Sequence, residues 1–429
     1  MEKIHNIFPN TNEVEGSYSP FSHVIKLECI NQKEFESYKK NTKPTLKQIE
    51  VYSIYIHELT HWYGHHSTIW GQNNLIEQYN AMNALLDKDI DELWRVKSFF
   101  DSCKRDRFED YYFDIFLKDY DFETGKWAIE TSSSLTFDIH GRVNPKRPIN
   151  LINYVSPEDE SIARIPISTE ALLEVRALHH EFNFKINELK RSFKGKKLEH
   201  EVSQFNTLVD DLLHSKELLI YNCIAHFTML KTDQNKLDNI FGTASLVSNF
   251  SLNFPKELSS QIKLYPTKVK GQMEHFRQML LNREQGFLFY NLIMNARDID
   301  FNKDVNGDDI LSKSNLPNVS EFKSIALKEM KENLNKLIKG PFYQRAVQRI
   351  EKGIQIFEKY EMSSLNYNYM FEVDDTFCPV LEYKDTNPQF QEIPNSSWID
   401  KPKLTFEEHI SLYSFMELKF FKFISACKN

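Results

Sequence analysis

Apolar and polar positions change period along the chain, and the changes mark its elements. In His23-Val24-Ile25-Lys26-Leu27-Glu28-Cys29, Ile25, Leu27 and Cys29 alternate with Lys26 and Glu28. That is the period of a half-buried strand, so a small sheet is expected upstream of the first long helix. Pro44-Thr45 then opens a helix over about 46–63, with Thr45 and Gln48 spaced as a capping box and Gly64 as a C-terminal stop. A second helix is predicted over 74–86. Thr131 to His140 reads as a short strand, and Pro145 to Pro166 reads as loop. Ser168-Thr169-Glu170-Ala171 starts a further helix reaching about Arg191. Helical periods then dominate, over 197–231, 267–296, 318–339, 343–360 and 405–426, the last opened by Thr405 with Glu408 three residues on. The pattern predicts a predominantly helical α+β chain: a region with a small sheet over 1–190, then a mostly helical region over 191–429. No flexible linker marks the join.

One interruption in this pattern carries chemistry. From Val51 to Ile76 the 26 residues include a single Asp, Glu, Lys or Arg, which is Glu58. At the chain's 27% charged content about seven would be expected, so the stretch reads as buried. A lone buried carboxylate is costly unless a cation or hydrogen bonds compensate it. The neighbours supply a means: His57-Glu58-Leu59-Thr60-His61 puts His57 and His61 on one helical face, where both imidazoles can reach one metal ion. Glu58 lies ~100° around the helix from His57 and can reach a water at such a site. Zn²⁺ lowers the pKa of that water, and a carboxylate can take its proton.

These residues resemble the active-site helix of the zincin metallopeptidases, HExxH flanked by uncharged residues. Tyr55, Ile56, Leu59, Thr60, Trp62 and Tyr63 fit that flanking. The clear resemblance covers about residues 45 to 71. It implies His57 and His61 as zinc ligands and Glu58 as general base. It also implies a small sheet upstream whose edge strand would bind an extended substrate by strand addition.

A catalytic zinc takes three protein ligands and leaves a position open. A metzincin-like reading, HExxHxxGxxH, matches through Gly64 but meets Ser67 where the third histidine is required, leaving His65 and His66 as near misses. A gluzincin-like spacing lands on Asn80, with Glu77 three residues early and Glu92 on a strongly charged stretch. The preferred candidate is Glu174, set among apolar residues of the helix opened by Ser168. That segment looks like the E-x-x-A helices that supply the third carboxylate in several HExxH families. Glu170, one turn earlier, would then orient a ligand from behind. His180, beside His179 on that helix, or Tyr154, could donate to a developing oxyanion. A helix surface salt bridge from Glu174, to neighbours of Arg176 or to Lys185, is the plain structural alternative.

Composition narrows the remaining classes. The net charge of −8 does not favour nucleic acid as a partner, and the basic run Lys190 to Lys197 reads as a solvated turn. No apolar run reaches the ~20 residues of a membrane helix. The start of the chain has no apolar signal region, and the five cysteines (Cys29, Cys103, Cys223, Cys378, Cys427) are scattered. A cytoplasmic protein with reduced thiols is expected. Asp304 to Asn315 resembles a calcium loop but lacks its Gly and its final Glu, so it reads as an ordinary turn. No phosphate-binding, dinucleotide or nucleophile-elbow motif is present. The expectation is a zinc peptidase acting on a protein or peptide. The alternatives are a helical interaction protein with a structural HExxH and a restrained toxin or defence-type protease.

Overall fold

The computed structural model describes residues 15–87, 90–108, 112–138, 141–267, 269, 271–301, 306–359, 362, 379–391, 398–399, 401 and 403–428. The fold is predominantly helical α+β with two small sheets. It begins with β1 (Ser17–Ser19) and β2 (Val24–Leu27), then α1 (Gln32–Lys40), α2 (Leu46–Ser67), α3 (Ile69–Asp87) and α4 (Trp94–Arg107). The strands β3 (Asp114–Ile115), β4 (Ala128–Phe137), β5 (Val143–Val155) and β6 (Ser161–Pro166) follow. Then come α5 (Thr169–Ser192), α6 (Gly195–His214), α7 (Leu219–Thr232), α8 (Leu237–Leu252), α9 (Gln272–Leu281) and α10 (Gln285–Ala296). The chain closes with α11 (Gly307–Lys313), α12 (Val319–Asn333), α13 (Tyr343–Lys359), β7 (Val380–Tyr383) and α14 (Phe406–Lys428).

The first sheet has the order β1-β2-β7, with β1 antiparallel and β7 parallel to β2. It contains the strand expected from the alternation after His23 and lies beside α2. The second sheet is antiparallel in the order β3-β6-β5-β4. Its β5 and β6 occupy the segment expected to be loop. Pro145 and Pro148 hid the strand, and their placement explains how it tolerates them. Both precede Leu151, where pairing to β6 begins, so among the described residues that part of β5 has β4 as its one strand partner. Pro148 stands opposite Leu135, where the register shifts. A missing N–H is tolerable at such an edge.

Helix α2 has a sequence of middling helical propensity, rich in aromatic, β-branched and histidine residues. Burial decides its structure. Ile49, Tyr52, Ile56, Leu59, Trp62 and Tyr63 are all at most 2% exposed. Each buried side chain of this size contributes about 1.5–3 kcal/mol, against propensity losses of up to ~0.7 kcal/mol per residue. The capping box holds as expected. Thr45 Oγ1 accepts the Gln48 N–H (3.3 Å) and Gln48 Oε1 accepts the Thr45 N–H (2.9 Å). The stop at Gly64 does not occur, and the helix runs on to Ser67. Gly64 serves packing instead: a Cβ there would lie 2.9 Å from Leu173 Cδ2, so its absence lets α5 approach.

Two further breaks depart from the periodic pattern. The helix expected over 197–231 is divided by a 3-10 turn at Lys216–Leu218. The one over 267–296 is divided at Arg283, whose φ is +53°. The larger hydrophobic core takes Leu172 and Val175 from α5, Val247 and Phe250 from α8, Ile350 from α13 and Met416 from α14. It therefore runs without a break across residue 190. A second core gathers Ile25, Leu27, Phe35, Tyr52, Trp62 and Phe184 around α2. Among the described residues no helix is long and apolar enough to cross a membrane.

Candidate metal centre

Helices α2 and α5 lie side by side and run in opposite senses, with Gly64 against Leu173 and His57 against Glu181. Helix α5 begins where the sequence indicates, with Ser168 Oγ accepting the Ala171 N–H (3.1 Å). On α2, His57 and His61 are one turn apart and share a face. Their Nε2 atoms are 3.2 Å apart. Glu174 of α5 closes on both: Oε2 lies 3.3 Å from His57 Nε2, and Oε1 lies 3.5 Å from His61 Nε2. All three side chains are largely buried, with His57 the most open at 18%. Among the described residues, this is the one group of histidine, cysteine or acidic side chains placed to hold a metal ion.

The side chain that orients His57 is Glu181, which sequence reasoning missed. Its Oε2 is 3.1 Å from His57 Nδ1. Lys185 Nζ lies 2.8 Å from Glu181 Oε1, and the nearby cation holds the carboxyl at about 2 although burial opposes this. An ionised carboxylate only accepts, so His57 donates from Nδ1 and turns Nε2 toward Glu174 and His61. Glu181 follows Glu174 by seven residues, two helical turns, and so shares its face. That spacing was the available signal. It was masked because a Glu and a Lys four residues apart, as Glu181 and Lys185 are, look like any exposed helical pair. Lys185 binds Glu181, so the alternative of a salt bridge from Glu174 to Lys185 is not realised.

The electrostatics favour a cation at this point. Burial would lower the pKa of His57, but the carboxylates of Glu174 and Glu181 outweigh it and raise it well above its usual value. His61 is pushed well below its usual value, first by burial and then by His57. One imidazole thus sits in a field that attracts positive charge, while the other is held in its neutral form. This donor set fits a divalent ion: two imidazole nitrogens and a carboxylate, in a site rich in acid.

Glu58 is 8% exposed and lies beside the cluster. Burial pushes its carboxyl up to about 7, with His57 opposing the rise. It accepts a hydrogen bond from the backbone N–H of Tyr18 in β1. The edge strand expected upstream is therefore present, but its Tyr18 N–H is engaged with Glu58.

The other candidates are not among the three side chains of the metal group. His66, nine residues past His57, points to the opposite side of α2. It bonds the Trp62 carbonyl (2.7 Å) and Arg349 (3.0 Å). His65 packs on Trp70 and Tyr18, with ring centroids 4.7 and 5.3 Å away. Neither joins the metal group. Glu77 sits on α3 within electrostatic range of Lys336. Glu170 is buried in the first turn of α5, and the contact to His57 Nδ1 comes from Glu181. His180 lies on the part of α5 that bears Arg176 and His179, which with burial keep it neutral. His179 bonds Asn183 (3.0 Å). Tyr154 is a core residue bonded to His226 (2.9 Å).

Of the calcium-like run, Asp304 and Val305 lie outside the described residues. Asn306 and Asp309 form the capping box of α11. In the basic run, Lys197 packs over Phe193 at the turn between α5 and α6. Cys29, Cys103, Cys223 and Cys427 form no disulfide among the described residues, and Cys378 lies outside them. No protein family, curated protein or solved structure matches this chain.

Proposed function

We propose that the protein is a zinc-dependent hydrolase of the zincin type, cleaving peptide bonds in a protein or peptide substrate. The observation that carries this reading is the closure of Glu174 on both Nε2 atoms, with Glu58 alongside. The separations are 3.2, 3.3 and 3.5 Å, the last two to different oxygens of Glu174, and one ligand atom from each residue lies within 4.8 Å of the others, close enough for the three side chains to share one ion. Two imidazoles favour zinc over magnesium or calcium, which take oxygen ligands. In this reading Glu174 is the gluzincin-like third ligand, and Glu181 fixes the tautomer of His57.

When bound, zinc polarises a carbonyl oxygen and makes water acidic enough to lose a proton near neutral pH. Glu58 takes that proton as the water oxygen bonds to the carbonyl carbon, then passes it to the departing amine nitrogen as the C–N bond breaks. The Tyr18 N–H holds the Glu58 carboxylate during both transfers. Elemental analysis of the purified protein should find about one zinc per chain. Glu58→Gln should keep that zinc and lose hydrolysis of a fluorogenic peptide library by ~10²–10⁴-fold. A folded wild-type protein that takes up no zinc would sink the reading.

A further inference from the structure

Resting on the reading of Glu58 as general base, we propose that Arg349 on α13 is a positioning residue for Glu58, acting through His66, His23 and β1. Among the described residues β1 pairs only with β2, over three residues. So short an edge strand does not fix its own place. Tyr18 does so from both ends: its N–H bonds Glu58, and its Oη lies 3.3 Å from His23 Nδ1.

His23 is the pivot. It is 1% exposed and has a φ of +59°. A non-glycine residue in the left-handed region costs about 1–3 kcal/mol and persists only where its surroundings over-determine it. Those surroundings come from α2, α3 and α14. His66 stands edge-on to the His23 ring at 5.1 Å, Tyr413 likewise at 5.6 Å, and Tyr79 stacks at 6.3 Å. The adjacent Ser22 carbonyl accepts from His409 Nε2 (2.7 Å).

Arg349 sets the orientation of His66. The Trp62 carbonyl only accepts, so His66 carries its proton on Nδ1 and presents Nε2 as an acceptor. Arg349 Nη1 donates to that Nε2 at 3.0 Å. Helix α13 can hold this contact because it touches the backbone of α2. A Cβ on Gly353 would lie 1.9 Å from the His66 carbonyl oxygen. The contacts therefore run from Arg349 through His66, His23 and Tyr18 to Glu58. A general base must sit within hydrogen-bond reach of its proton, and a ~1 Å displacement can cost ~10²-fold. The C-terminal helices thereby complete a site whose ligands all lie before residue 190.

The test uses the full chain loaded with zinc. Arg349→Met should lower kcat on the fluorogenic peptide library at least ~10-fold, with KM within about twofold and zinc content unchanged. Arg349→Lys, which keeps one donor for His66, should recover part of that loss. Hydrogen–deuterium exchange across Gly16–Ser22 should quicken in Arg349→Met, a readout that does not need hydrolysis. If either kcat or this exchange stays at the wild-type value, the proposal is overturned. If Arg349→Met does not fold, Tyr18→Phe decides. That variant removes only the contact to His23 and should show the same changes to a smaller degree, and wild-type behaviour would overturn the proposal. If zinc-loaded wild-type protein hydrolyses nothing, the peptidase reading has failed. Exchange in Arg349→Met then decides the positioning alone, and an unchanged rate overturns it.

Discussion

Helix α2 carries four histidines in its C-terminal half, and it uses them as two pairs in opposite ways. The first pair, His57 and His61, meets Glu174 and Glu181, and the carboxylates raise the pKa of His57. The second pair, His65 and His66, meets Trp70, Tyr18, the Trp62 carbonyl and Arg349. Burial pushes His65 down to about 3 and drives His66 well below its usual value. The residue type and the helix are shared, and all but His57 are buried. The partner decides: acid makes a histidine pair a seat for a cation, while arginine and aromatic rings make it a neutral strut. A count of histidines cannot separate these roles, but the charge of the facing helix can.

The sharpest way to break this contrast is to truncate one histidine from each pair. His61→Ala should lose both zinc and hydrolysis. His66→Ala should keep its zinc and instead lose about 2–4 kcal/mol of stability in urea denaturation, for the cavity and the lost hydrogen bonds. Equal zinc loss in both would erase the distinction. Next in size is the carboxylate that orients His57. Glu181→Gln should weaken zinc about 10–100-fold in competition with a chelator, whereas Glu170→Gln should leave the affinity within about twofold. The reverse order would restore Glu170 to the role expected from sequence.

The smallest and most gradual effect concerns acid. His65 and His409 are held at about 3 in the folded protein by burial. Below their unfolded value of ~6.5 they bind more protons unfolded than folded. Their contribution to stability is therefore complete above about pH 6.5 and is lost as pH falls from there toward about 3. Urea midpoints should fall across that window. Replacing His409 with Gln should flatten the slope, and a slope unchanged by that substitution would contradict the neutral-strut role.

Much of the site was legible because its first part is local. The i and i+4 spacing of His57 and His61, and the single charge of Glu58 in a long uncharged stretch, need no tertiary knowledge. Glu174 was visible as an acid inside an apolar, capped helix. That it faces His57, rather than Glu77 doing so, is a contact between distant segments that spacing does not encode. Glu181 was hidden because a Glu and a Lys four residues apart look alike on a surface and behind a ligand. The fold was legible where periods are long and capped, as at Thr45, Ser168 and Thr405. It failed where a residue served an unexpected purpose. Gly64 makes room for Leu173 instead of ending a helix, and Pro145 and Pro148 sit on the part of β5 that has β4 as its one strand partner among the described residues. The break at Arg283 rests on a left-handed arginine, a conformation that no local preference of arginine suggests.

The account stands on one ion held by three side chains. Anomalous diffraction at the zinc edge, from crystals grown with one equivalent of zinc, tests it most directly. The prediction is a single strong peak ~2.0–2.2 Å from His57 Nε2, His61 Nε2 and a Glu174 oxygen, with His57 Nδ1 still on Glu181. No peak at that point, or a peak there without Glu174 in contact, would contradict the account.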